Sequence, residues 1–131
     1  MNESGEKSFL GEHLLIELHG CDIAIIDDAE VLQRLMEEAV QLAGATLVKS
    51  VFHSFSPVGV TGVVVIEESH FAIHTWPEHN YAAVDLFTCS ASMDYKKAAD
   101  FLAKELAAKT QSVKLVKRGD ISLVEKVEGA F

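Results

Sequence analysis

The succession of strand-like segments constrains the fold of this chain more than any other feature. Segments typical of β-strands cover residues 45–55, 58–68 and 70–76, and a fourth covers residues 81–89 after a turn at Pro77. Links this short leave no room for the helical crossover that a parallel pair needs, so neighbouring strands are expected to run antiparallel. The middle of the chain is therefore predicted to form an antiparallel sheet.

Two amphipathic helices flank these segments. The first is predicted over residues 28–43, because Asp28 can cap its amino end and Gly44 can follow its last residue. The second is predicted to begin near Asp94. Apolar residues recur on one side of each helix at a spacing of three or four. They are Leu32, Leu35, Met36, Ala39 and Ala43 in the first helix, and Tyr95, Ala98, Leu102 and Leu106 in the second.

Further strands are predicted at residues 11–21 and 111–118, which gives the order β-α-β-β-β-β-α-β. We expect an α+β two-layer sandwich with a mainly antiparallel sheet and both helices on one of its faces. It forms a single domain over residues 1–131, with a loose tail at residues 1–8. A single helix layer leaves the second face of the sheet to be covered, which favours a homo-oligomer.

The charge balance narrows the kinds of partner. The chain has 11 lysines and arginines against 20 aspartates and glutamates, for a formal net charge of −9. A nucleic-acid partner is not expected, because proteins that bind a phosphate backbone carry a basic surface. The sequence contains no apolar run long enough to span a bilayer and no secretory leader pattern, so we expect a cytoplasmic protein without a membrane partner.

One reversal of the chain departs from ordinary turn composition. Residues 58–68 end in two carboxylates and the strand pattern resumes at once, yet Glu68 and Ser69 include none of the residues that tight turns favour. Such a turn is often strained, and strain collects at functional sites. If the flanking strands pair, His74 and Cys89 project from the same face of the sheet. Serine, histidine and cysteine together favour acyl chemistry.

A metal site is not expected. His70 and His74 lie four residues apart, which in a strand separates their Cα atoms by about 13 Å, too far to share an ion. Two cysteines are too few for a disulfide framework or a zinc cluster, and Cys21 is interpreted as a buried filler. The remaining histidines are expected to be surface or structural groups: His13, His19, His53 and His79.

Six segments of the chain together resemble the bacterial and archaeal form of S-adenosylmethionine decarboxylase, a small pyruvoyl-dependent enzyme of polyamine synthesis. The resemblance extends in register over about residues 11–106. The segments are residues 11–14 (GEHL), 52–55 (FHSF), 59–66 (GVTGVVVI), 68–70 (ESH), 73–78 (IHTWPE) and 81–89 (YAAVDLFTC).

This resemblance implies a proenzyme that cleaves itself. Ser69 Oγ attacks the Glu68 carbonyl to form an ester, elimination releases the Glu68 carboxylate, and hydrolysis leaves a pyruvoyl group at residue 69. The products are a β fragment of residues 1–68 and an α fragment of residues 69–131. The pyruvoyl group then forms a Schiff base with the substrate amine and withdraws electrons during decarboxylation, without pyridoxal phosphate.

The resemblance also implies roles for individual residues. His74 holds the position of the base that removes the serine α-proton, and Thr61 that of a hydroxyl assisting this step. Cys89 holds the position of the proton donor in catalysis. Phe55 corresponds to an aromatic ring that stacks on adenine and Glu78 to a carboxylate that binds the ribose hydroxyls. The family forms a homodimer, sheet against sheet, with active sites at the interface.

Four departures and two alternatives accompany this interpretation. Thr61 replaces a serine of the family, Glu67 a small polar residue, and Asn80 and Ser90 each a glycine. Relatives of the family decarboxylate arginine or ornithine with the same pyruvoyl chemistry, so these are alternative substrates. A protein of another class, an unprocessed paralogue that binds a ligand or regulates a partner, is the second alternative. Intact Ser69, His74 and Cys89 favour the enzyme.

Overall fold

The computed structural model describes residues 8–90 and 92–125, and these form six strands and three helices. The strands are β1 (Phe9–His19), β2 (Leu47–Ser54), β3 (Val60–Ile66), β4 (Ser69–Trp76), β5 (Tyr81–Thr88) and β6 (Thr110–Asp120). The helices are α1 (Ile23–Ile26), α2 (Ala29–Leu42) and α3 (Tyr95–Glu105), with a 3-10 turn at Pro77–His79. The predicted order is confirmed, and the one-turn helix α1 is an addition to it. The expected tail at residues 1–8 lies outside the described residues except for Ser8.

The six strands form one antiparallel sheet in the order β2-β3-β4-β5-β1-β6. Strands β2 to β5 follow the chain, as their short links require. Strand β1 lies between β5 and β6, paired with both. Both longer helices pack on the same face, so the predicted α+β two-layer sandwich is confirmed.

The core lies between the helices and one face of the sheet. Alternate residues of each central strand point into it, as the period of two dictates. The largest buried contributions of the sheet are Ile16, Leu18, Ile66, Phe71, Ile73 and Leu86, and those of the helices are Ile26, Leu32, Met36, Val40 and Leu102. Cys21, 1% exposed, belongs to this core, and burial raises the pKa of its thiol. Its interpretation as a buried filler is confirmed.

Local signals explain the helix boundaries. The Asp28 carboxylate accepts from the backbone N–H groups of Glu30 and Val31 at the start of α2. Gly44, with φ of +81°, donates to the carbonyl of Gln41 at its end. Asp94 caps α3 in the same way as Asp28 caps α2.

The second face of the sheet has no helix over it among the described residues. We call it the open face; it carries Leu15, Val51, Val65 and Trp76, each at least 36% exposed. Large apolar side chains in such number on one face are typical of a surface that meets another protein. Within the described residues, no helix is long and apolar enough to cross a membrane.

Candidate active site

The turn between β3 and β4 holds the backbone in an unfavourable conformation. Ile66 pairs with Ser69 in the β3–β4 ladder, so Glu67 and Glu68 alone make the reversal. Glu68 has φ of +62°, in the left-handed region where a side chain costs roughly 1 kcal/mol. The strained turn predicted from the composition is therefore present, and the strain lies at the residue whose carbonyl precedes Ser69.

The Ser69 hydroxyl lies directly after this turn. Its Oγ is buried and has no hydrogen-bond partner among the described residues. A buried polar atom without a partner is unusual in a folded protein and is often associated with function. Ser69 also pairs with Thr88 of β5, so Cys89 follows directly after its cross-strand neighbour. The register thus brings Glu68, Ser69 and Cys89 to one end of the β4–β5 pair.

A second group of functional candidates lies on the same hairpin as the turn, at its other end. Thr61 and His74 face each other across β3 and β4, with 3.1 Å between Thr61 Oγ1 and His74 Nδ1. Phe55 follows β2 and is 51% exposed, and its backbone N–H donates to Gly59 O just before β3. Glu78 is exposed in the 3-10 turn that follows β4.

The two groups do not meet within one chain. Ser69 and His74 are five residues apart on β4, which corresponds to about 16 Å between their Cα atoms at the rise of an extended strand. Proton transfer requires heavy atoms about 3 Å apart. The two groups of candidate residues therefore lie towards opposite ends of the β3–β4 hairpin. We call the first the serine half-site, with Glu68, Ser69 and Cys89. We call the second the histidine half-site, with Thr61, His74, Phe55 and Glu78.

The chain is also similar in sequence to proteins of a known family. The family model for S-adenosylmethionine decarboxylase matches residues 12–119. The chain belongs to this family. The S-adenosylmethionine decarboxylase proenzyme of Carboxydothermus hydrogenoformans is 49% identical over 110 residues, covering 84% of this chain and 87% of the relative. That of Thermotoga maritima is also 49% identical over 110 residues, covering 84% and 85%.

A solved structure agrees with this assignment. The crystal structure of the adenosylmethionine decarboxylase from Aquifex aeolicus superposes with a TM-score of 0.78 at 38% identity. The match covers 92% of this chain and 98% of that one. The sandwich described above is thus the fold of a solved S-adenosylmethionine decarboxylase.

The departure at Asn80 has a structural explanation. Asn80 ends the 3-10 turn with φ of +51°, a left-handed conformation that glycine adopts freely and asparagine tolerates better than most residues. Its side-chain amide donates to the carbonyl of Cys21 at 3.0 Å. This hydrogen bond ties the turn that carries Glu78 to the end of β1. Asparagine can therefore take the place of glycine at this turn in a member of the S-adenosylmethionine decarboxylase family.

Sequence reasoning missed a polar cluster beside the serine half-site. We call it the His70 cluster; its members are His13, His70, Asp85, Phe87 and Arg118. His13 Nε2 lies 2.8 Å from Asp85 Oδ2, and Arg118 Nη1 lies 3.2 Å from His13 Nδ1. His70 Nε2 is 3.8 Å from Asp85 Oδ1, which is buried and without a hydrogen-bond partner among the described residues. An acidic residue inside the apolar segment AVDLF was the available signal.

Three members of the His70 cluster have the composition of a metal site. One ligand atom each of His13, His70 and Asp85 lies within 4.8 Å of the others. However, a guanidinium can only donate, so Arg118 requires His13 Nδ1 to accept, and the ring proton then resides on Nε2. That proton points at Asp85, which leaves His13 Nε2 without a lone pair for an ion. The contacts favour a hydrogen-bonded chain rather than a metal centre.

Proposed function

We propose that this chain is a proenzyme that cleaves itself between Glu68 and Ser69 and then decarboxylates S-adenosylmethionine. The observation that supports self-cleavage most directly is the left-handed backbone at Glu68, next to a buried Ser69 hydroxyl that has no hydrogen-bond partner among the described residues. The family relationship supports the substrate, and the product would be the sulfonium that donates aminopropyl groups in polyamine synthesis.

The residues at the turn suit self-cleavage. An Oγ that makes no competing hydrogen bond can turn towards the Glu68 carbonyl and take over the acyl group from the Ser69 nitrogen. Removal of the Ser69 α-proton then expels the Glu68 carboxylate, and water replaces the nitrogen of residue 69 as ammonia leaves. Opening the turn also releases the strain at Glu68. The resulting pyruvoyl group would supply the electrophilic carbonyl and electron sink for decarboxylation.

The base for this step comes from a second copy of the chain in our proposal. A separation of about 16 Å along β4 keeps His74 from the Ser69 of its own chain. The midpoint between these residues lies near Ala72, whose small side chain permits close approach on the open face. A two-fold axis above Ala72, running across the strands, would place each serine half-site against the partner's histidine half-site. The exposed apolar residues of the open face support such a dimer.

The Thr61–His74 contact suits the role of a proton acceptor. With Thr61 Oγ1 at 3.1 Å from Nδ1, the imidazole orientation is fixed and Nε2 remains for the partner's Ser69. The hydroxyl that a serine would supply is retained by Thr61. The added methyl group restricts rotation of the Thr61 side chain. We expect this to affect the rate of cleavage and not its mechanism.

Substrate choice rests on the rest of the histidine half-site. The half-exposed ring of Phe55 offers a flat apolar surface for adenine, and the exposed Glu78 carboxylate can accept from both ribose hydroxyls. Neither feature serves arginine or ornithine, which have no nucleoside. We therefore propose S-adenosylmethionine over these alternatives, with Cys89 as the proton donor after carbon dioxide leaves.

Intact mass spectrometry under denaturing conditions tests the first half of the proposal. Two fragments, each about half of the 14.3 kDa precursor, are expected, with the one that begins at residue 69 lighter by one ammonia than a serine-terminated chain. Ser69→Ala should remain a single species. A wild-type protein that stays intact on long incubation would support the unprocessed paralogue instead. Release of carbon dioxide from the three candidate substrates tests the second half.

A further inference from the structure

Cleavage at the proposed position changes what holds residue 69. In the precursor, the turn residues Glu67 and Glu68 tie Ser69 to β3. After cleavage, residue 69 is the first residue of a chain, and its position depends on the β4 ladder and on the side chain of the residue that follows. That residue is His70, so its surroundings determine how well the reactive end is fixed.

The His70 ring lies between a carboxylate and an aromatic ring. Its Nε2 is 3.8 Å from Asp85 Oδ1, a buried oxygen that accepts no hydrogen bond from the described residues. On its other side the ring stacks on Phe87, with centroids 6.0 Å apart and planes inclined by 23°. A small rotation of the imidazole would turn the 3.8 Å contact into a hydrogen bond that satisfies Asp85.

The partners of His70 are themselves fixed by other strands. Asp85 Oδ2 is bonded to His13 of β1, which is bonded in turn to Arg118 of β6. The Phe87 ring lies against the backbone of Gly11, where a Cβ would come within 2.8 Å of it. The cluster therefore links β4 to the three strands β5, β1 and β6, and these are unaffected by a cut before Ser69.

We propose that His70 is a positioning residue that anchors the residue-69 end of β4 in the cleaved protein, through its contacts with Asp85 and Phe87. The inference rests on the proposed self-cleavage. Self-cleavage and turnover should respond differently to a change at His70, because Ser69 is held by the turn before cleavage and by the His70 cluster afterwards. Loss of the anchor should therefore slow turnover of the mature enzyme more than it slows cleavage.

The test compares three substitutions at His70 in the full chain. His70→Ala removes both contacts, His70→Phe keeps only the ring, and His70→Gln keeps an N–H donor within reach of Asp85. We expect each variant to cleave within about twofold of the wild-type rate. In the cleaved His70→Ala enzyme, kcat should fall about tenfold with KM unchanged, because residue 69 then lacks the contact with Asp85 and the stacking on Phe87 that hold it in place. Glutamine should restore more of kcat than phenylalanine does.

Asp85→Asn provides a second route to the same result, because it leaves His70 in place and removes the charge that faces it. It too should lower kcat without changing KM. His19→Ala is the matched control: it removes an imidazole from the same face, stacked on Tyr81 at 4.9 Å, and should leave kcat unchanged.

Two results would overturn the inference. One is an unchanged kcat in cleaved His70→Ala, and the other is an equal loss of cleavage rate and kcat, which indicates a general structural role. Failure of the wild-type chain to cleave is a different outcome, because it removes the proposed function itself.

Discussion

Complementation between two inactive variants would test the composite site most directly. In the proposed dimer, Ser69→Ala retains a complete histidine half-site and His74→Ala retains a complete serine half-site. Neither should cleave alone. When both are co-expressed, a mixed dimer contains one site with Ser69 from one copy opposite His74 from the other, and that site should cleave.

The structure sets the expected yield. Because Ser69 and His74 of one chain are about 16 Å apart and proton transfer needs about 3 Å, rescue within a chain is excluded. Random pairing of equal amounts gives mixed dimers in about half of the cases, each with one productive site of two. About half of the His74→Ala chains, or roughly a quarter of all chains, should therefore be cleaved.

Denaturing mass spectrometry of the co-purified protein, with the two variants carrying different tags, would give this fraction and identify the cleaved copy. The matched control replaces Ser69→Ala by the double variant Ser69→Ala/His74→Ala, which supplies a partner without any His74. Cleavage in that control, wild-type cleavage of His74→Ala alone, or no cleavage in the mixture would refute the reasoning about half-sites.

Three further predictions concern single positions. Glu68→Gly should relieve the left-handed strain, stabilise the precursor by about 1 kcal/mol and slow cleavage, as measured by urea unfolding and by fragment appearance over time. Phe55→Ala should raise KM for S-adenosylmethionine about tenfold or more in steady-state assays while the cleavage rate is unchanged. Burial, with the Glu17 carboxylate accepting from its hydroxyl, raises the pKa of Tyr81 to about 12. The folded state therefore retains this proton more strongly than the unfolded state, and the resulting stability should be lost as the pH rises from 10 to 12. Tyr81→Phe should lose less stability over that interval, as followed by urea midpoints.

Local sequence patterns were sufficient to predict most of the helices and strands. Alternation of apolar residues predicts the strands, and Asp28 with Gly44 brackets α2 to within a residue or two. Helix α1 was missed because a single turn of four residues is too short to display a helical period. The position of β1 between β5 and β6 depends on pairing between distant parts of the chain, which no local pattern encodes.

The candidate site shows the same limit. The strained turn at Glu68 was predictable, because the residues that a tight turn prefers are missing from a short link. The His70 cluster was not, because His13 and Asp85 are separated by 72 residues and meet only through the ladder of β1 and β5. The separation of Ser69 from His74 was predictable, because the strand predicted at residues 70–76 places them about as far apart as the structure does.

The place of β1 in the sheet determines what a cut before Ser69 can release. The fragment of residues 1–68 would contain β1, β2 and β3, and the fragment of residues 69–131 would contain β4, β5 and β6. Because β1 is inserted between β5 and β6, and β3 borders β4, three of the five ladders would join one piece to the other. The strands of the two fragments would be interleaved in one sheet, and neither fragment could dissociate without breaking ladders at the centre of that sheet. The mature protein would thus behave as a noncovalent heterodimer that unfolds as one unit.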